Sequence, residues 1–185
     1  MVTVVISGMP AVGKTTVAKA LAQRLGLKYY CGGDALKELA LEMGFKPKGD
    51  DWWDTEEGMK FLQERKENPD FDKAVDRRLS DVAKEGDVVI SSYPLPWLLK
   101  EGVKFWLKAS QETRAKRMAE RDRIAFEEAL KIVKRRDDEN RTLYKKLYGI
   151  RFGDDLSVFD FVINTDILSK DGVADVVTTI VKHLR

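Results

Sequence analysis

The chain has 185 residues, 43% of them hydrophobic and 35% charged, the size and balance of one folded domain with a sizeable core rather than a disordered segment. Lys and Arg number 33 against 31 Asp and Glu, which leaves no basic footprint of the kind that grips nucleic acid. The single cysteine, Cys31, excludes an internal disulfide and a zinc cluster, and no apolar run approaches the ~18 residues of a membrane span.

"VTVVIS" at 2–7 is Val/Ile-rich with little alternation, the pattern of a strand buried on both faces. It lacks a basic flank and a cleavage site, so it reads as a strand rather than a targeting signal, and a cytoplasmic protein is expected. "GKTTVAKALAQRL" then spaces Val17, Leu21 and Leu25 as a helix face, with Gly26 as its stop. "LKYYC" (27–31) predicts a second strand, and "GDALKELALEM" (33–43) a helix with Asp34 near its start, where a carboxylate caps free N–H groups. Pro47, Gly49 and the Asp pair predict a loop in 44–69, with a helix resuming near Thr55. A helix is expected over 70–86, strands over 87–92 and 103–110, and a charged helical region from Gln111 to Leu147, broken around Asp122–Ala125. A fifth strand at 159–165 and a closing helix at 171–184 complete the series. Pro94 and Pro96 predict a stiff turn after the third strand.

Strands separated by helices predict an α/β fold: a five-stranded parallel sheet covered by helices on both faces, with right-handed crossovers. Ligands of such sheets bind beyond the carboxyl ends of the strands, so Gly8, Cys31 and Ser91 should border one crevice.

Gly8-x-x-x-x-Gly13-Lys14-Thr15 follows the first strand and opens the first helix, the setting that gives the P-loop pattern its meaning. Backbone N–H groups over Gly8, Met9, Pro10, Ala11, Val12, Gly13, Lys14, Thr15 and Thr16 are expected to cradle a nucleotide's phosphates, helped by the helix dipole. Lys14 can reach the β- and γ-phosphates of ATP, and the Thr15 hydroxyl can hold Mg²⁺. No guanine-reading N-K-x-D motif is present, and "VVISS" offers serines where large ATPase machines carry an acid, so a small kinase is the expected class.

"TRAKRMAERDR" and "KRRDDENRTLYKKLYGI" supply seven arginines to one helical region. Phosphoryl transfer needs fixed positive charge around equatorial oxygens, which suits guanidinium. For Arg114, Arg123 and Arg135 the expectation is instead a solvated helix face with local ion pairs.

The sequence resembles the archaeal-type cytidylate kinases of the nucleoside monophosphate kinase superfamily, through "SGMPAVGKTTVAKALA", "GGDALKELA", "NPDFDKAVDRRL", "RMAERD", "RRDDENRTLYKKLYGI" and "DDLSVFDFVINT". The resemblance implies a P-loop kinase fold with an acceptor-binding segment near 33–84 and a metal-free lid near 117–135. It implies that Arg117 and Arg121 are lid arginines, that Arg136 and Arg141 bridge donor and acceptor phosphates, and that Asp34 and Arg77 lie on the acceptor side. The acceptor implied first is CMP or dCMP, and the enzyme is expected to be a monomer.

Two positions depart from the family pattern. Ser91-Ser92-Tyr93 stands where Glu-Gly-Arg is expected, and Lys37 replaces an arginine. Tyr93 could donate to an acceptor oxygen, and Trp53, beside Trp52 in the 44–69 loop, could stack on a base or anchor the loop. A second reading therefore stays open, in which a hydroxyl compound is the acceptor and Asp34 the general base. A third is a nucleotide-switched assembly or RNA-maturation factor. Few Asn and Gln among many Lys, Arg and Glu hint at a hot-living source.

Overall fold

A computed structural model describes residues 1–47, 56–68 and 70–184. The strands are β1 (Thr3–Gly8), β2 (Lys28–Cys31), β3 (Val88–Ser91), β4 (Val103–Lys108) and β5 (Phe161–Asn164). The helices are α1 (Lys14–Leu25), α2 (Gly32–Glu42), α3 (Glu56–Glu67), α4 (Asp70–Glu85), α5 (Leu95–Leu98), α6 (Gln111–Asp122), α7 (Phe126–Tyr148) and α8 (Lys170–Lys182). The strands form one sheet in the order β2-β3-β1-β4-β5, and every pairing is parallel. This is the α/β architecture expected from the alternation of strands and helices.

Successive side chains of a strand point to opposite faces, and both faces here are apolar. Val4 and Ile6 of β1 join Phe105 and Leu107 of β4 beneath α1 and α8. Val5 of β1 and Ile90 of β3 join Val75 and Leu79 of α4 and Leu95 of α5 on the other side. An aromatic cluster around Trp106, Tyr144 and Phe152 ties the end of α7 to β4. Among the described residues no helix is long and apolar enough to cross a membrane.

The stiff turn predicted at Pro94 and Pro96 is a short helix, α5, with Pro94 at its N-cap and Pro96 in its first turn. A missing N–H is harmless there, because first-turn donors have no intrahelical partner. The break in the charged helical region falls where it is expected. Arg123 takes a left-handed conformation at the end of α6, and α7 starts at Phe126. Trp52 and Trp53 lie outside the described residues.

Leu21 of α1 is fully buried in the cluster between α1, α8 and the sheet. Leu21→Ala is expected to lower unfolding stability by about 2–5 kcal/mol in urea titration, through lost transfer energy and a residual cavity. A loss below about 0.5 kcal/mol would show that α1 is not docked as described.

Candidate active site

β1 delivers Gly8 to the carboxyl edge of the sheet with φ 150°, and a Cβ built there would lie 2.4 Å from the Leu107 carbonyl oxygen. Only glycine fits that approach. The loop turns back through Gly13, which caps α1 with φ 102°, and the helix begins at Lys14. The Lys14 ammonium donates to the carbonyl oxygens of Gly8 at 2.9 Å and Met9 at 3.0 Å, and sits 4.1 Å above the centre of the Tyr93 ring. Burial holds its pKa down to about 7, with the charges of Arg136 and Arg114 acting in the same direction and Asp137 opposing them.

Tyr93 arrives from the loop after β3. Its carbonyl accepts from Ser7 Oγ at 2.7 Å, and its ring packs on Tyr144 and Phe152 with centroids 6.2 and 5.9 Å apart. Arg136 of α7 donates through Nη2 to the Tyr93 hydroxyl at 3.4 Å. Burial pushes the phenol's pKa up, and the Arg136 charge pulls against that. Two cations from distant segments therefore converge on one aromatic ring.

The loop is also gripped from α6. Arg117 donates through Nη1 to the Val12 carbonyl at 3.2 Å and to Thr165 Oγ1 at 2.9 Å, and through Nη2 to the Thr165 carbonyl at 2.7 Å. Arg114 donates to the Pro10 carbonyl at 3.1 Å and forms a bidentate pair with Asp137 of α7 at 2.8 and 2.7 Å. The expectation of a solvated Arg114 is corrected: the residue is 3% exposed, because α6 turns that face onto α7 and the phosphate loop. Arg135 pairs with Glu139 on the surface at 3.7 Å, and Arg123 is exposed, as expected for a helix face.

A cleft of about 530 Å³ opens over this arrangement. Ala11, Val12, Gly13, Lys14, Thr15, Thr16, Tyr93, Arg117, Arg121 and Arg136 line it, joined by Thr165 and Lys170. Gly8, Met9 and Pro10 form the back of the loop and turn their carbonyls to Lys14 and Arg114. Arg121 is turned onto Asp122, with contacts of 2.6 and 2.8 Å, at the cleft's outer edge.

Other residues expected at the site lie beyond this cleft. Asp34 Oδ2 accepts from the Cys31 amide at 2.8 Å and closes the N-terminus of α2. Lys37 is half-buried on α2, Arg77 is exposed on α4, and Arg141 pairs with Asp138 at 3.7 Å on α7. Trp53 lies outside the described residues. Sequence reading did not identify the contact between Tyr148 and Asp76, in which the hydroxyl donates at 2.6 Å to a carboxylate on a residue 6% exposed. It fastens the end of α7 to α4 across 72 positions of chain. Among the described residues no group of three or more His, Cys, Asp or Glu side chains could hold a metal ion. Thr15, next to Lys14 at the start of α1, lines the cleft.

The family model described as cytidylate kinase-like matches residues 3–167. A cytidylate kinase of Methanocaldococcus jannaschii is 35% identical, over 98% of each chain. One from Pyrobaculum islandicum is 39% identical, over 91% of this chain and 86% of its own. Among solved structures, a shikimate kinase from Bacteroides thetaiotaomicron superposes with a TM-score of 0.65 over 98% of both chains. At 16% identity that likeness speaks for the fold alone. The phosphate loop, the arginines of α6 and α7 and these relatives agree: the chain is an ATP-dependent phosphotransferase and belongs to the cytidylate kinase-like family.

Proposed function

We propose that this kinase transfers the γ-phosphoryl group of ATP to a nucleoside monophosphate, with CMP or dCMP as the acceptor. The observation that carries the reading is the convergence of Lys14 and Arg136 on Tyr93, from the donor loop and from the helix that the family resemblance assigns to both substrates. In-line transfer asks the protein for little besides positioning and fixed positive charge. Loop amides and Lys14 would hold the donor, with Arg117 at the mouth of the cleft. Arg121, Arg136 and Arg141 would surround the transferring group once the lid near 117–135 closes and excludes water.

Mg²⁺ fits this site. It needs few protein ligands and keeps its waters, and Thr15 supplies one hydroxyl beside the phosphate loop. When bound it would neutralise charge on the β- and γ-phosphates. On the acceptor side Asp34, Lys37, Arg77, Trp53 and Tyr93 remain the candidates. The Asp34 oxygen committed to the cap of α2 supports the nucleotide reading over a hydroxyl acceptor with Asp34 as base. A lone cysteine and few Asn and Gln among many Lys, Arg and Glu support a cytoplasmic setting in a hot-living source, and the enzyme is proposed to act as a monomer.

The test is ADP release from Mg·ATP with CMP, dCMP, UMP, AMP, GMP, a set of phosphate-free hydroxyl compounds, and no acceptor. CMP or dCMP should stimulate turnover most, the control should be nearly silent, and Lys14→Ala should abolish the stimulated rate. Turnover stimulated only by a hydroxyl compound, or undiminished without acceptor, would contradict the proposal.

A second prediction concerns protons. With a pKa of about 7, against an ordinary 10.5, Lys14 is neutral in much of the free enzyme above neutrality, whereas bound phosphate favours its ammonium form. Binding of Mg·ATP at about pH 8.5 should therefore take up close to one proton, seen calorimetrically as a heat that varies with buffer ionisation enthalpy. At about pH 6 the lysine is already charged and the uptake should vanish. Equal uptake at both values would contradict the burial described for Lys14.

A further inference from the structure

We infer that Arg114 and Asp137 form a positioning pair that sets the phosphate loop for its ligand and registers Arg136 against it. Three observations carry this. Arg114 spreads one guanidinium over two duties: its fork meets both carboxylate oxygens of Asp137, and Nη1 also donates to the Pro10 carbonyl. Gln111, one turn before Arg114, donates to Asp137 Oδ2 at 3.1 Å, so the carboxylate is held from two points of α6. Asp137 is the direct neighbour of Arg136, so whatever holds Asp137 also sets where the next guanidinium leaves α7.

The effect on the loop follows from peptide geometry. A trans peptide points its C=O and its N–H in opposite directions. Fixing the Pro10 carbonyl toward α6 aims the Ala11 amide N–H away from it, and Ala11 is held in the left-handed region at φ 61°. Arg117, three residues along α6, fixes the Val12 carbonyl in the same way and so orients the Gly13 amide. Alternate carbonyls of the loop are gripped from one helix face. The Ala11 and Gly13 amides are thereby turned away from α6, on a loop whose Ala11, Val12 and Gly13 line the cleft.

Stability alone does not account for the pair. Arg114 and Asp137 are 3% and 1% exposed, and among the described residues the Arg114 Nε atom has no hydrogen-bond partner. Desolvating two charges at such a site largely offsets their attraction, and well-packed apolar residues of similar volume commonly replace buried pairs without loss of stability. What an apolar pair could not do is hold the Pro10 carbonyl.

This inference rests on the reading of the loop as the ATP site, so its test separates the two. Equilibrium binding of Mg·ATP, without acceptor, is measured for wild type, for Arg114→Met with Asp137→Leu, and for Arg114→Lys. Thermal unfolding and steady-state kinetics are recorded on the same proteins. The double variant should unfold within a few degrees of wild type, bind Mg·ATP about tenfold or more weakly, and lose kcat, while KM for the acceptor stays within about twofold. Arg114→Lys keeps the charge but lacks the fork that reaches Asp137 and Pro10 together, so it too should bind Mg·ATP about tenfold or more weakly, which keeps the inference testable even if the double variant fails to fold. Wild-type ATP affinity and kcat in either folded variant would overturn the inference. A uniform loss that raises both KM values alike would also overturn it, as general loosening. A wild-type protein that binds no Mg·ATP would overturn the phosphate-loop reading itself, and the pair's role with it.

Discussion

An ammonium group taken out of water organises this site. Lys14 lies beneath its own loop, between the Gly8 and Met9 carbonyls and the face of Tyr93. Burying a charge is expensive unless polar partners replace the lost water. Two carbonyls and an aromatic quadrupole replace only part of it, so burial still holds the Lys14 pKa down to about 7. These partners come from segments that only the folded sheet brings together. β1 supplies Gly8, and β3, its parallel neighbour, supplies Tyr93 through the turn that follows. An anion entering the loop offers the ammonium a stronger interaction than the carbonyls do.

The second layer lies in α6 and α7, whose surfaces are densely charged but whose facing sides are not uniform. Ala115, Met118, Ala129 and Val133 make an apolar seam between them. Arg114 and Asp137 interrupt that seam with a buried ion pair that reaches back to the loop. Arg117 passes beside it to Val12 and to Thr165 at the end of β5. The donor side is thus preorganised from three directions: by the sheet edge, by the start of α1, and by guanidinium groups on backbone carbonyls. Across α2, α4 and the end of α7, the described residues include long-range contacts of Tyr148 with Asp76 at 2.6 Å and of Arg78 with Glu38 at 2.7 Å.

What could be read from the sequence depends on whether a feature is local in the chain. The phosphate loop is a contiguous pattern whose function lies in its backbone, so spacing alone identifies Gly8, Gly13, Lys14 and Thr15. The strands were legible because both faces of a parallel sheet are apolar, and the break before α7 because the helical pattern lapses there. Arg114 and Asp137 were not legible, being 23 residues apart in a stretch whose charges otherwise fit a solvated face. Tyr93 was recognisable only as a departure from a family motif. That its ring stacks on Lys14 follows from the pairing of β1 with β3, which no local signal encodes. Arg141, aligned by resemblance with a phosphate-bridging residue, lies 3.7 Å from Asp138 on its own helix.

The central claim is that a triphosphate donor and a cytidine monophosphate acceptor meet end to end over Tyr93. The most direct measurement is the affinity of a bisubstrate compound joining adenosine and cytidine through five phosphates, compared with Mg·ATP. Joining two ligands that occupy adjacent sites should bind about 100-fold or more tightly than ATP alone, and more tightly than the analogue with adenosine at both ends. An affinity no better than that of ATP, or a preference for the diadenosine compound, would contradict the account.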